Sequence, residues 1–430
     1  MYQEPLPAPL QPKGPHTSFE AIGFARYLAS VHIVMGHMYQ AGHLSSLGGF
    51  SKFGFTWVPW FFSLSGFILT VAEDRKGAAD QTKDPLAYLL RRLETIYPAY
   101  FVGLLLSIIT VWAVKSESSL PAAVDTLVFV FLLQGWMPSL VESGFVYLTQ
   151  CWFLSCAVFY WILFYRIHAF VGSLQQSQLL CLAACASLLL PFLYHISSVG
   201  QAEWYNEHSY LRSSQGVDIA VLVLKYHPFS YIHIFVLGCC LPRIKAILQN
   251  QQFFPYIAPY LTSFSYLILL ILFCSGGDDI PGYKLGLRLG IVSCLQCSLL
   301  LGLSCKDDLL ARVFSTPALS RLGGISYPQY VAQFLVFAWY YSLTKNPLAD
   351  IRYFLLLFTS AVVIGAVVAP LSNRINLLRI FVFAFFFLVG YAIFQPLDVS
   401  NAKRYTQIPY FQTTNWWNDS SMLFTIEGNY

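Results

Sequence analysis

The chain has 430 residues, of which 57% are hydrophobic, 17% aromatic and only 11% charged. Soluble domains carry about 25% charged residues, so this composition excludes an ordinary soluble protein and favours one that crosses a membrane many times. The net charge is only +4. Since no basic run interleaved with aromatic residues stands out, a nucleic-acid partner is not expected.

Residues 1–18 contain five prolines, which predict an extended, disordered tail on the cytosolic side. The segment has no basic stretch followed by a short apolar core and a cleavage site. The first apolar helix is therefore predicted to stay in the protein as a signal-anchor.

The first apolar run, FEAIGFARYLASVHIVMGHMY at 19–39, carries Arg26, His32 and His37. Ionisable residues inside a membrane helix are costly and indicate functional sites. The spacing of eleven places Arg26 and His37 within about 20° of one helix face and about 16 Å apart along its axis, with His32 off that stripe. Each residue alone has a simpler explanation, because Arg can extend to the interface and His can bond a neighbouring helix. The aligned pair favours a functional site.

Further apolar runs follow at 54–72, 96–114, 123–138, 145–165, 178–196, 219–241, 253–275, 285–304, 326–343, 353–371 and 377–395. We predict an all-α polytopic membrane protein, a bundle of about 10–12 transmembrane helices with 11 favoured. The run at 123–138 is taken as re-entrant or half-spanning. That choice puts the dense basic segment 73–94 on the cytosolic side, as the positive-inside rule requires.

Three regions follow from this topology: the tail 1–18, a transmembrane domain at 19–395, and an outward-facing tail at 396–430. The second tail contains a glycosylation sequon at Asn418. The protein is expected to be an integral, multi-pass component of the plasma membrane or an endomembrane, with the lipid bilayer as its partner.

Almost all of the ten cysteines lie inside apolar runs, where thiols behave as small hydrophobic groups. The CxxC pair of Cys294 and Cys297 has no second pair to complete a metal site. No metal, redox centre or bound cofactor is therefore expected.

Two segments after the first helix carry polar groups that are consistent either with helix packing or with a functional site. In WVPWFFSLSGFIL (57–69), Ser65 offers a hydroxyl in an apolar setting, although small residues there also suit helix packing. In YLLRRLETIYPAY (88–100), Arg91 and Arg92 precede the predicted third span. They fit positive-inside anchoring and also a phosphate clamp, because guanidinium groups bind phosphate bidentately.

Taken in order, several motifs resemble the acyltransferase-3 family of polytopic enzymes that O-acylate sugars, lipids or small acceptors. They are Arg26 with His37, FFSLSGF, RRLETIYPAY, CWFLSCAVFY, HPFSYIHIFVLG and LGGISYPQYVAQF, and they cover roughly residues 20 to 372. The sequence departs from the family pattern at Thr95, often Arg, at Ala157, near the usual acidic position, and at Gln333, commonly His. The missing carboxylate weakens any scheme in which that acid orients the histidine.

The resemblance implies transfer of an acyl group, acetyl or another short acyl, from acyl-CoA to a hydroxyl of a carbohydrate, lipid or small acceptor. His37 would act as general base or as nucleophile, and the sequence leaves both open. Arg26 would hold the thioester oxygen or a CoA phosphate, and Arg91 and Arg92 the nucleotide phosphates. Six residues would form the substrate path, with packing as the alternative for the aromatic ones: Ser65, Tyr97, Trp152, Tyr160, Tyr327 and Gln333.

The competing interpretation is a transporter or flippase for a lipid or anionic substrate. Arg26 would then bind the anion and His37 would relay protons. No internal repeat is evident, which disfavours a transporter built from inverted repeats. A purely structural scaffold is disfavoured by the intramembrane charges, and no oligomeric state is predicted.

Overall fold

The computed structural model describes residues 19–40, 48–76, 84–114, 123–142, 148–189, 192, 219–274, 287, 290–344 and 355–364. Within these residues every regular element is helical. The longer helices are α1 (Glu20–Gln40), α2 (Trp57–Asp74), α3 (Pro85–Val114), α4 (Ala123–Val130), α5 (Trp152–Ser173), α6 (Gln176–Ala184), α7 (Ile219–Tyr226), α8 (Ile232–Gln249), α9 (Leu261–Cys274), α10 (Ser293–Leu303), α11 (Ser326–Thr344) and α12 (Leu355–Ile364).

Five stretches of the described chain are long and apolar enough to cross a membrane. They are Gly54–Asp74, Pro85–Val111, Thr149–Ser173, Pro228–Gln249 and Phe254–Cys274. The predicted number of eleven spans is not confirmed by these five. Helix α1 has 21 residues and is about 31 Å long, enough to span the hydrocarbon core, but its polar residues keep it out of this most apolar group. The predicted span at 377–395 and both predicted tails lie outside the described residues.

The outer surface of the bundle carries large apolar side chains. On α9, Phe264 is 60% exposed and Ile271 is 56% exposed. A soluble protein rarely exposes such contiguous apolar surface, whereas lipid tails cover it without cost. The surface and the apolar helices together indicate an integral membrane protein.

Among the predicted spans whose boundaries differ in the structure, two bear on the site. The run at 96–114 is the second half of α3, so Arg91 and Arg92 lie inside the helix instead of before it. The run at 219–241 is not continuous, because His227 has extended backbone angles (φ −75°, ψ 140°) immediately before Pro228. Proline disfavours helical geometry in the residue that precedes it, so α7 ends there and a new helical stretch leads into α8.

The segment predicted to be re-entrant or half-spanning is broken. Helix α4 has eight residues and is about 12 Å long, far short of a membrane span. The chain leaves it through Leu132, which has a left-handed φ of 55°. The hydroxyls of Tyr97 and Tyr100 on α3 donate hydrogen bonds to the carbonyls of Val130 (2.8 Å) and Phe129 (2.7 Å). The Phe129 carbonyl also accepts from the backbone N–H of Leu132 (3.1 Å), so the two tyrosines add to the hydrogen bonds at the end of this short helix.

Helices α2 and α8 cross at glycines. A Cβ atom at Gly238 would collide with the backbone of Ser63, and one at Gly66 would lie 2.9 Å from the backbone nitrogen of Cys239. Small residues at such crossings let two helix backbones approach closely. This pair forms the rigid centre against which α5 and α10 pack.

Segments from α1, α2, α5 and α8 meet at one end of the bundle. The Nε2 atom of His168 lies within hydrogen-bond distance (2.8 Å) of Oδ1 of Asp74 there. Arg243 donates a hydrogen bond to the carbonyl of Val171 (3.0 Å). The Arg75 guanidinium lies 4.7 Å from the centre of the Phe19 ring, so the start of α1 belongs to the same end.

Candidate active site

A cavity of about 500 Å³ lies between α1, α2, α3, α5 and α11. This volume is in the range of small-molecule sites. Helix α1 contributes one stripe of residues to its wall: Arg26, Ser30, Ile33, Gly36 and His37. The eleven-residue spacing thus brings the arginine and the histidine to the same cavity.

Arg26 is fixed by the approach of α1 to the segment before α11. Its Nη2 donates a hydrogen bond to the carbonyl of Gly323 (2.7 Å). The hydroxyl of Ser30, one turn along, donates to the carbonyl of Ser326 (3.2 Å). A Cβ atom at Gly323 would lie 2.7 Å from the backbone of Gly23, so only glycine permits this approach. The buried Nε of Arg26 has no hydrogen-bond partner among the described residues.

His37 contacts α11. Its Nδ1 lies 2.7 Å from Oε1 of Gln333, and its ring centre lies 4.9 Å from that of Phe334. Gln333 is 1% exposed, and its Nε2 donates a hydrogen bond to the carbonyl of Tyr330 (3.0 Å). Gln333 was predicted to line the substrate path, and in the structure it contacts the His37 ring instead.

His32, the third ionisable residue of α1, has a structural role. Its Nδ1 accepts a hydrogen bond from the indole N–H of Trp57 (2.7 Å), and its Nε2 donates to the carbonyl of Phe50 (2.8 Å). The ring stacks on Phe50 with centres 4.1 Å apart. Because one nitrogen accepts and the other donates, this imidazole is held in a single neutral form.

The charges on the cavity wall are all positive among the described residues: Arg26, Lys52, Arg92 and Lys225. Anions are attracted to such a wall, and more strongly where apolar side chains lower the local dielectric. Of the described lining residues, none is Asp or Glu. The cavity is therefore suited to an anionic ligand.

These cations lie at two levels. The Arg92 guanidinium is 5.3 Å from the ring of Tyr88, which stacks on Phe164 in the second half of α5. Lys225 adjoins Tyr226, whose ring centre lies 5.3 Å from that of Trp152, the first residue of α5. The twelve residues between these two points on α5 span about 18 Å.

His37 and Arg26 also lie at different levels of the cavity. Lys52 lies beside the last turns of α1, since a Cβ atom at Gly36 would be 3.3 Å from the carbonyl oxygen of Ser51. His37 therefore belongs to the lysine level. Arg26, three turns earlier on α1, lies away from that level, towards the arginine end of the cavity.

The two arginines predicted as a phosphate clamp are placed differently. Arg92 lines the cavity, whereas Arg91 does not and is exposed on the surface of α3. Thr95, where the family often has arginine, also lines the cavity, and its hydroxyl donates to the carbonyl of Arg91 (3.1 Å). Only one member of the pair is in a position to contact a ligand in the cavity.

The other residues predicted to form the substrate path also fall into two groups, those that line the cavity and those that do not. Ser65, Trp152 and Tyr327 line the cavity. Tyr97 and Tyr160 are not among the lining residues, because their rings are buried in the core. The Tyr160 hydroxyl donates to Pro228 (2.6 Å), at the break between α7 and α8.

The lining residues that were not identified from the sequence include Lys52, Gln150, Trp161 and Lys225. Trp161 donates a hydrogen bond from its indole N–H to the hydroxyl of Ser65 (3.4 Å). It lies nine positions after Trp152 on α5, which is half a turn away at 100° per residue, so helical spacing from Trp152 does not identify it. The two lysines lie in separate segments that no sequence periodicity connects to α1.

Ala157 also lines the cavity, so the position that lacks the family's usual carboxylate faces the site.

No group of three His, Cys, Asp or Glu side chains in the described chain is arranged to hold a metal ion. Of the CxxC pair, Cys294 is exposed and Cys297 is buried, so the two thiols face different surroundings.

The acyltransferase-3 family, described as an acyltransferase domain, matches residues 19–371, about four-fifths of the chain. No match was found among curated proteins or among solved structures. The matched region begins just before α1 and includes every residue that lines the cavity. This family consists of membrane enzymes that transfer acyl groups. The chain belongs to the acyltransferase-3 family.

Proposed function

We propose that the protein transfers a short acyl group from acyl-CoA to a hydroxyl of a carbohydrate or lipid acceptor, in the plasma membrane or an endomembrane. One observation carries this proposal: a single cavity is lined by both Arg26 and His37 and has cations at two levels. Such a cavity would accept the anionic part of a donor at the arginine level while its acyl group reaches the histidine.

The separation of Arg26 and His37 supports two different roles for these residues. Their Cα atoms are about 16 Å apart along α1, too far for both side chains to contact one carbonyl group. Arg26 is therefore assigned to the phosphates of the donor, together with Arg92. The extended pantetheine arm of acyl-CoA would follow the cavity and bring the thioester to His37.

His37 would remove the proton from the acceptor hydroxyl. The hydroxyl oxygen then forms a bond to the thioester carbonyl carbon, the carbon–sulfur bond breaks, and the CoA thiolate takes up the proton. The products are the acyl ester and free CoA. In the covalent variant, His37 carries the acyl group between donor and acceptor, with the same products.

The donor assignment is tested with the full chain in proteoliposomes. Acetyl-CoA and butyryl-CoA are compared with the same acyl groups on N-acetylcysteamine, a thioester without phosphates. Ester formation is measured by mass spectrometry on a panel of carbohydrate and lipid acceptors, and thiol release by colorimetry. We expect a KM for acyl-CoA at least about 10-fold lower than for the phosphate-free thioester. Equal use of both donors would contradict phosphate recognition.

A further inference from the structure

The hydrogen bonds around Gln333 determine which way its amide faces. The Nε2 group donates to the carbonyl of Tyr330 (3.0 Å), and a carbonyl can only accept. The amide oxygen therefore faces the histidine, where Oε1 lies 2.7 Å from Nδ1 of His37. Because this oxygen can only accept, Nδ1 carries the hydrogen. In the neutral imidazole, Nε2 is then the basic nitrogen.

A second set of bonds holds the support of Gln333 in place. The side chain of Gln150 donates from Nε2 to the carbonyls of Tyr330 (3.2 Å) and Val331 (3.3 Å). In return, the Tyr330 hydroxyl donates to the backbone carbonyl of Gln150. The carbonyl that orients the Gln333 amide is thus fixed from the segment just before α5, independently of α1.

We propose that Gln333 is a positioning residue that holds His37 in the form protonated on Nδ1, so that Nε2 receives the proton of the acceptor hydroxyl. The proposal rests on the proposed function, since it assigns the basic atom of that reaction. It also accounts for two departures from the family pattern. With Ala157 in place of a carboxylate, an uncharged amide at Gln333 does the orienting.

The first test measures the tautomer directly and needs no activity. The full chain is labelled with ¹⁵N-histidine and reconstituted in lipid bilayers at a pH above the ordinary titration range of imidazole. The His37 signal is assigned by difference from His37→Asn in solid-state NMR spectra. We expect nitrogen shifts of an imidazole protonated on Nδ1, and a mixture of both forms in Gln333→Leu. A His37 ring protonated on Nε2 in the wild type would overturn the proposal.

The second test separates positioning from stability through three variants. Gln333→Leu is expected to lower kcat about 10-fold to 100-fold and leave the acceptor KM within about 2-fold, because the ring loses its orientation. Gln333→Glu, which can still accept from Nδ1, is expected to retain more of kcat than Gln333→Leu. The control is Gln296→Leu on α10, where the side chain is equally buried and donates to the carbonyl of Thr56 (2.7 Å).

The Gln296→Leu control separates a loss of His37 orientation from a general loss of stability. Gln296→Leu is expected to lower thermal stability while the folded fraction keeps wild-type kcat. Equal losses of kcat in Gln333→Leu and Gln296→Leu, or no advantage of Gln333→Glu over Gln333→Leu, would overturn the proposal. If acyl transfer itself fails on every donor, the tautomer measurement still decides whether Gln333 orients His37.

Discussion

His32 and His37 lie five positions apart on α1 and have different surroundings. His32 has a hydrogen-bond partner at each ring nitrogen and a phenyl ring stacked on its face. His37 lines the cavity and has its Nδ1 bonded to a side chain on α11. The difference follows from helical geometry, because five residues rotate a side chain by about 140°.

Replacing each histidine by alanine should therefore have opposite effects. His32→Ala leaves the buried indole N–H of Trp57 without its acceptor, so we expect a loss of about 1–3 kcal/mol in stability, with normal turnover per folded molecule. His37→Ala should lose turnover and keep a melting temperature close to that of the wild type. Thermal unfolding in detergent and activity per folded molecule measure both. An inactive folded fraction of His32→Ala would contradict the structural role of His32.

The sequence identified Arg26 and His37 because a helix repeats at a known angle, so their common face follows from spacing alone. It did not separate Tyr327, which lines the cavity, from Tyr97 and Tyr160, which are buried in the core. All three hydroxyls bond backbone carbonyls, and which ring faces the cavity depends on neighbouring helices. That information is absent from the local sequence.

At the scale of elements, the crossing of α2 and α8 holds one wall of the cavity in place. Ser65 and Ile68 on α2 face the cavity, while Gly66 between them faces α8. The backbone approach at the glycine therefore holds α2 against α8 while Ser65 and Ile68 face the cavity.

We expect Gly66→Ala and Gly238→Ala each to destabilise the protein by about 1–3 kcal/mol, because the added methyl group has to push the two helices apart. Gly324→Ala is the matched control, since a Cβ atom there would have nothing within 4 Å. Thermal unfolding and the yield of monodisperse protein in detergent measure the effect. Wild-type stability in both Gly66→Ala and Gly238→Ala would contradict the close crossing.

The ends of the helices could not be predicted from the sequence as well as the apolar runs could. The apolar run at 219–241 indicated one helix, but Pro228 divides it, since hydropathy is insensitive to a single backbone break. Conversely, α3 begins at Pro85, eleven residues before its apolar run, because its first turns carry polar residues at the end of the bundle. Composition identified the apolar runs, and tertiary contacts determine where helices end.

At the scale of the whole molecule, the cavity combines residues from α1, α2, α3, α5 and α11, from the end of α7 and from the segments that adjoin them. Arg92 and Arg91 provide a matched pair for testing its charge, because they are neighbours on α3 and only Arg92 lines the cavity. We expect Arg92→Ala to raise the donor KM about 10-fold to 100-fold through loss of phosphate contacts, and Arg91→Ala to change it by less than about 2-fold. Initial rates against acyl-CoA concentration measure both. Equal effects of the two substitutions would contradict the assignment.

The family, the helical architecture and the two residues of α1 could be predicted from the sequence, since each rests on order, composition or local period. The rest of the site could not. Lys52, Gln150 and Lys225 come from separate segments and meet only when the helices pack. The role of Gln333 depends on two hydrogen bonds with fixed donors, which a sequence does not display.

Acyl transfer in this cavity is expected to depend on His37. The most direct measurement is ester formation by the full chain in proteoliposomes, comparing wild type, His37→Ala and Arg26→Ala with Arg91→Ala as the control. Removal of a general base typically costs about 10²-fold to 10⁴-fold in rate, and we expect a loss of this size in kcat for His37→Ala. Arg26→Ala should chiefly raise the donor KM. Undiminished ester formation by folded His37→Ala would contradict the account.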